Sequence, residues 1–99
     1  MTYFVYILYS VGYDRFYIGQ TNDVQDRLKR HNSGSEKATK PYTPWEIMWC
    51  TEKPDRSAAM VLEKKLKNLS RERLQNFIQK YSAENGIAGP DVAEGKSGC

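Results

Sequence analysis

Val24, Arg27, Leu28 and His31 fall at i, i+3, i+4 and i+7 directly behind Phe16-Tyr17-Ile18-Gly19-Gln20, so the chain reads here as a strand that passes through a glycine turn into a helix. Such a stripe is the one a helix normally turns toward its core. Two of its four members are basic or titratable, and charged groups are costly in a closed apolar core. The spacing therefore predicts a helix whose inner edge borders a polar cleft, with the other elements as its support.

Tyr3 to Tyr9 is rich in aromatic and β-branched residues, the composition of a buried strand. Val11-Gly12-Tyr13-Asp14 supplies a turn, and Arg15 to Gln20 returns as the second arm of a hairpin. Gly19 ends that arm where the backbone needs close approach or positive φ. Asn22 or Thr21 caps the helix, Asp23 and Asp26 favour its positive end, and Asn32-Ser33-Gly34 stops it. After a polar, basic loop, Trp45 to Thr51 reads as a third strand with Trp45, Ile47 and Trp49 on one face. Asp55 or Ser57 caps a second helix through Leu69, whose apolar stripe is Ala58, Leu62, Leu66 and Leu69, with Glu63 on its edge. Ser70 restarts a third helix, docked through Leu74, Phe77, Ile78 and Tyr81. The order β-β-α-β-α-α predicts an α+β fold, a small three-stranded antiparallel sheet flanked by helices.

Ninety-nine residues fit one domain with one modest core. That domain is expected over residues 1–81, because residues 82–99 are small and breaker-rich with no sustained apolar period and read as a disordered tail. With Lys96 set aside from 15 basic residues, and Glu84, Asp91 and Glu94 from 12 acidic ones, residues 1–81 carry 14 against 9, an excess of five. That excess is compatible with a polyanionic partner such as nucleic acid. The apolar N-terminus lacks a charged leader and is too short to span a bilayer, so no membrane role and a cytoplasmic location are expected. There is no P-loop, Gly-x-Gly-x-x-Gly, HExxH or Ser/His/Asp set.

Five residues carry candidate chemistry. Tyr6 and Tyr17, on the two hairpin arms, can supply a general base or a proton-relaying hydroxyl. An unperturbed phenol has a pKa of about 10, so only on the order of a thousandth is ionised at neutral pH and a neighbour must help. The plainer reading is a pair of half-buried strand aromatics. Arg27 presents a fork of donors suited to a phosphate, or is an ordinary surface arginine. His31 can bond a phosphate or relay a proton, or simply decorate a helix C-terminus. Glu63 suits Mg²⁺, which takes one or two protein carboxylates and fills its shell with water and phosphate, or forms an i, i+4 pair with Lys67. Two basic groups, Arg27-Lys29-Arg30-Lys37-Lys40 and Lys64-Lys65-Lys67-Arg71-Arg73, either track phosphates beside a cleft or are solvated helix faces.

Val5-Tyr6-Ile7, Tyr17-Ile18-Gly19, Thr21, Arg27-Leu28, His31-Asn32 and Glu63, taken in order, resemble the GIY-YIG nuclease superfamily. The length, Pro44-Trp45 and Leu62-Glu63 look most like its small stand-alone bacterial branch, related to the nuclease domains of excision-repair enzymes. The resemblance covers roughly residues 2 to 80. It implies a metal-dependent endonuclease that hydrolyses DNA with low intrinsic sequence specificity, aided by substrate structure or a protein partner. Tyr6 or Tyr17 would then act as base or orient water, Arg27 would stabilise the phosphate, His31 would assist, and Glu63 would hold one Mg²⁺ or Mn²⁺. Val5 stands in place of the family's first glycine, and Gln20 where some relatives have Lys. A non-catalytic nucleic-acid-binding module of the same fold is the alternative, and a purely structural interaction domain a third.

Overall fold

The computed structural model describes residues 2–86, with side chains through Tyr81. Strands β1 (Tyr3–Ser10) and β2 (Arg15–Thr21) form the hairpin, followed by helix α1 (Val24–Ser33), a 3-10 turn (Lys40–Tyr42), strand β3 (Glu46–Lys53) and helices α2 (Arg56–Lys67) and α3 (Arg71–Gly86). The three strands form one antiparallel sheet in the order β2-β1-β3. The α+β order read from the sequence is therefore the observed one. Helix α3 continues to Gly86, beyond the expected domain end at Tyr81, and the remainder of the expected tail lies outside the described residues.

Helices cover both faces of the sheet, so its central strand is buried on both. Val5 and Ile7 of β1 pack with Ile18, Ala59, Leu66, Leu74 and Ile78 on the α2–α3 side. Tyr6 and Leu8 pack with Val24 and Trp45 on the α1 side. This two-sided burial is why Tyr3 to Tyr9 reads as a nearly continuous apolar run instead of an alternating one.

Local chemistry sets the helix ends. Asp23, not Asn22 or Thr21, caps α1, its carboxylate accepting from the Asp26 amide at 3.0 Å. Gly34 closes the helix in the left-handed region, φ 85°, with its N–H turned back on the last carbonyls. Asp55 caps α2 in the same way through the Ala58 amide.

One expectation for β3 is corrected. Ile47 faces the α1 side with Trp45, whereas Trp49 packs on the α2–α3 side against Phe77. The register against β1 slips between Ile7 and Leu8, which pair with Trp49 and Ile47 in turn, so Met48 is an extra residue at a bulge. A bulge inverts the faces that simple alternation assigns.

Arg71 ties α3 to the hairpin. Its guanidinium bonds the Asp14 carboxylate and, at 3.0 Å, the Asp14 carbonyl, and lies over the Phe16 ring. Asp14 has positive φ and also accepts from the Tyr9 hydroxyl at 2.6 Å. Arg71 thus belongs to the scaffold, not to a free basic face.

Candidate active site

The hairpin register puts Tyr6 opposite Gly19 and Leu8 opposite Tyr17. Tyr6 and Tyr17 are therefore diagonal neighbours on the α1 face, with ring centroids 6.4 Å apart. A Cβ added to Gly19 would lie 2.5 Å from the Tyr6 hydroxyl oxygen. Gly19 has no positive φ, so close approach and not backbone freedom is what this position requires.

His31 lies behind the two tyrosines, fully buried. Its Nε2 is 3.1 Å from the Tyr6 hydroxyl and its Nδ1 is 2.8 Å from Thr39 Oγ1. Thr39 is itself buried, and its hydroxyl points to the Glu36 carbonyl at 3.4 Å. With Thr39 donating there, Nδ1–H donates to Thr39 and Nε2 is left to accept from Tyr6. Burial lowers the pKa of His31, Glu36 opposing and Arg27 reinforcing that shift. Burial also raises the phenol of Tyr6, with Tyr17 adding to the shift and Arg27 opposing it. The pair thus rests as neutral phenol and neutral imidazole.

A cleft of about 390 Å³ opens over the free edge of β2. Tyr6, Tyr17 and Arg27 line it from the α1 side, and Glu63 with Arg56 from α2. Residues from Gly19 to Asn22 run between them. Of the five sequence candidates, four share this one cleft. His31 does not line it and sits behind Tyr6 and Tyr17, bonded to the Tyr6 hydroxyl. Its two nitrogens are already engaged, so direct bonding to a phosphate is the role this burial disfavours.

Glu63 is held on both oxygens. Gln20 Nε2 donates to Oε1 at 2.9 Å, and the Lys67 ammonium lies 2.9 Å from Oε2. Because a carboxylate only accepts, Gln20 must present its amide nitrogen, and its buried Oε1 has no partner among the described residues. Buried Arg27 Nε is likewise unpartnered, and the nearest carboxylate oxygen, on Glu36, is 4.0 Å from the guanidinium. Unpaired buried polar atoms are uncommon, and these two belong to residues of the same cleft.

Those oxygens also test the fit of a hard divalent cation. The cleft offers one carboxylate and one unsatisfied amide oxygen, the donor types Mg²⁺ accepts while keeping several waters. Among the described residues no group of three or more His, Cys, Asp and Glu gathers. The donor set fits a sparsely ligated oxygen site and not a zinc cage.

The sequence singled out neither Arg56 nor Thr39. Arg56 lies outside both basic runs, although it precedes Glu63 by seven residues, a spacing that places both on one helix face. Thr39 sits in a loop, where no periodicity marks it. Three members of the basic runs are held by carboxylates: Arg30 pairs with Asp26, Lys67 with Glu63 and Arg71 with Asp14. Asn32 clamps the residue that leads into β3, its side-chain amide bonding the Trp45 N–H and carbonyl at 2.6 and 3.0 Å.

The model of the GIY-YIG catalytic domain matches residues 2–82. This chain belongs to the GIY-YIG family. It is 32% identical over 77 residues to a UPF0213 protein of Natronomonas pharaonis, spanning 77% of this chain and 89% of that protein. It is 34% identical over 77 residues to a UPF0213 protein of Streptococcus sanguinis, spanning 77% and 87%. The solution NMR structure of a UPF0213 protein from Bacillus halodurans is similar at a TM-score of 0.53 and 32% identity, covering 80% of this chain and 84% of that one. The GIY-YIG fold is a nuclease-type fold, and Tyr17-Ile18-Gly19 spells its second motif here. Val5, beside Tyr6, is fully buried in the α2–α3 side core, where an apolar side chain belongs. No helix among the described residues is long and apolar enough to cross a membrane.

Proposed function

We propose that the domain, taken as residues 1–81, is a divalent-metal-dependent endonuclease that hydrolyses DNA phosphodiester bonds with low intrinsic sequence specificity. One observation carries this reading: Tyr6, Tyr17, Arg27 and Glu63 line a single cleft. Phosphoryl chemistry needs positioned positive charge and an activated nucleophile, and the cleft supplies candidates for both.

Arg27 turns its donors on the scissile phosphate, where the unpartnered Nε–H gains an acceptor. Tyr6 takes a proton from the attacking water on its hydroxyl oxygen and passes its own to Nε2 of neutral His31. This relay needs no resident phenolate, which the raised pKa of Tyr6 makes scarce. Thr39 keeps the receiving nitrogen free by accepting from Nδ1–H. Tyr17, its ring tilted against His31 with centroids 4.8 Å apart, orients the water or the phosphate. Glu63, steadied by Gln20, holds Mg²⁺ or Mn²⁺, which when bound supplies Lewis-acid stabilisation of the phosphate charge. A protein partner or the shape of the DNA supplies specificity, since one small domain offers few base contacts.

The test is cleavage of plasmid and single-stranded DNA by purified protein with Mg²⁺, Mn²⁺ or EDTA, alongside Glu63→Ala and Arg27→Ala. Cleavage should require the metal and both side chains. Activity that survives EDTA or Glu63→Ala removes the metal assignment. Salt-dependent DNA binding without cleavage in any metal favours a non-catalytic binding module.

A further inference from the structure

The cleft holds a second guanidinium that the proposed reaction does not use. Arg56 lines it from the first turn of α2, near Tyr3. Seven residues separate it from Glu63, so the two share a helix face about 10 Å apart along the axis. Arg56 is exposed and forms no ion pair among the described residues, unlike Arg30, Lys67 and Arg71. Among the described residues, Glu63 is the one carboxylate that lines the cleft, and it is already matched by Lys67.

Arg27 and Arg56 approach from opposite faces of the sheet, on either side of the free edge of β2. A planar guanidinium on each side suits two phosphates of one strand better than a single shared phosphate. We propose that Arg56 binds the phosphate next to the scissile one on the same DNA strand, so that the strand crosses the β2 edge from Arg27 to Arg56. This rests on the nuclease reading above and sharpens it: the substrate must carry a phosphate beyond the bond that is cut.

The probe is a labelled single-stranded DNA of about a dozen nucleotides, long enough to fill a small domain's site and titrated in EDTA to prevent turnover. Arg56→Gln should lower the slope of log Kd against log salt by about 0.7, the value for one single-strand phosphate contact. Lys64→Gln removes the same charge from α2 outside the cleft and should leave the slope unchanged. An uncharged methylphosphonate is then moved along the strand one linkage at a time. At one linkage it should weaken the wild type and leave Arg56→Gln unaffected, the non-additivity of groups in contact.

Equal slopes for wild type and Arg56→Gln overturn the inference, as does an equal loss in Lys64→Gln or strict additivity at every linkage. Wild-type cleavage with Mg²⁺, read separately, decides whether the nuclease reading survives that failure. If the wild type neither binds nor cleaves DNA, both fall together.

Discussion

Tyr6 and His31 bury each other's polar atoms: the hydroxyl lies 3.1 Å from Nε2, and neither residue is more than 1% exposed. One hydrogen bond therefore serves the core and the proposed proton relay at once. Variants that separate these two roles are the informative ones.

Tyr6→Phe leaves Nε2 of His31 buried without a partner, which costs about 1–3 kcal/mol. It also removes the relay, and cleavage should fall by about 10²–10⁴-fold. Tyr17→Phe removes a hydroxyl that bonds no other described side chain, so its stability should stay within about 0.5 kcal/mol of wild type. Urea midpoints and initial cleavage rates read both effects. Equal destabilisation by the two variants would contradict the buried bond.

Stability should depend on pH through His31. Its pKa in the folded state is below the unfolded value of 6.5, so the unfolded chain binds the extra proton first. The contribution is full above pH 6.5 and is lost as pH falls from there through the folded value. His31→Gln should flatten that part of the pH–stability curve. The acid limb of wild-type cleavage should likewise lie below pH 6.5, because the relay requires neutral imidazole.

Gly19→Ala places a methyl 2.5 Å from the Tyr6 hydroxyl oxygen and 2.7 Å from its ring carbon. Tyr6 is walled in by His31 and cannot swing away, so overpacking should cost about 1–3 kcal/mol. Cleavage by the remaining folded protein should also drop, because the hydroxyl is displaced. Unchanged melting and cleavage would mean that the strand can part from Tyr6 without loss.

Arg71→Ala should loosen the hairpin tip from α3 yet leave DNA affinity and cleavage per folded molecule unchanged. The Asp14 carboxyl is held below its ordinary pKa by the Tyr9 hydroxyl and then by Arg71. Its stabilisation is full above pH 3.8 and is lost as pH falls through the depressed folded value. The variant should lose part of that acid dependence, read from thermal melts across pH. A fall in DNA affinity would return Arg71 to the binding surface.

Much of this site is legible because short-range geometry carries it. Once the hairpin register pairs Leu8 with Tyr17, strand alternation puts Tyr6 and Tyr17 on one face, and the stripe at Val24, Arg27, Leu28 and His31 turns both polar residues inward. The same logic fails at β3, where the extra Met48 puts Ile47 and Trp49 on opposite faces. It also leaves open what an inward polar residue does. Arg27 reaches a cleft, whereas His31 meets a threonine eight residues further on, through a loop whose path no periodicity encodes. Arg56 was hidden for the opposite reason, since an isolated arginine at a helix start does not stand out beside runs of lysine.

The place of the cleft on the sheet has a consequence for solubility. An outer strand offers free amides and carbonyls that invite another chain to add on and begin aggregation, a hazard often blunted by charge. Along its final residues β2 runs between Arg27 and Arg56, and a second copy docking there would bring two guanidiniums against its own pair. The positive charge proposed to draw in DNA thereby discourages the protein from assembling with itself through that strand.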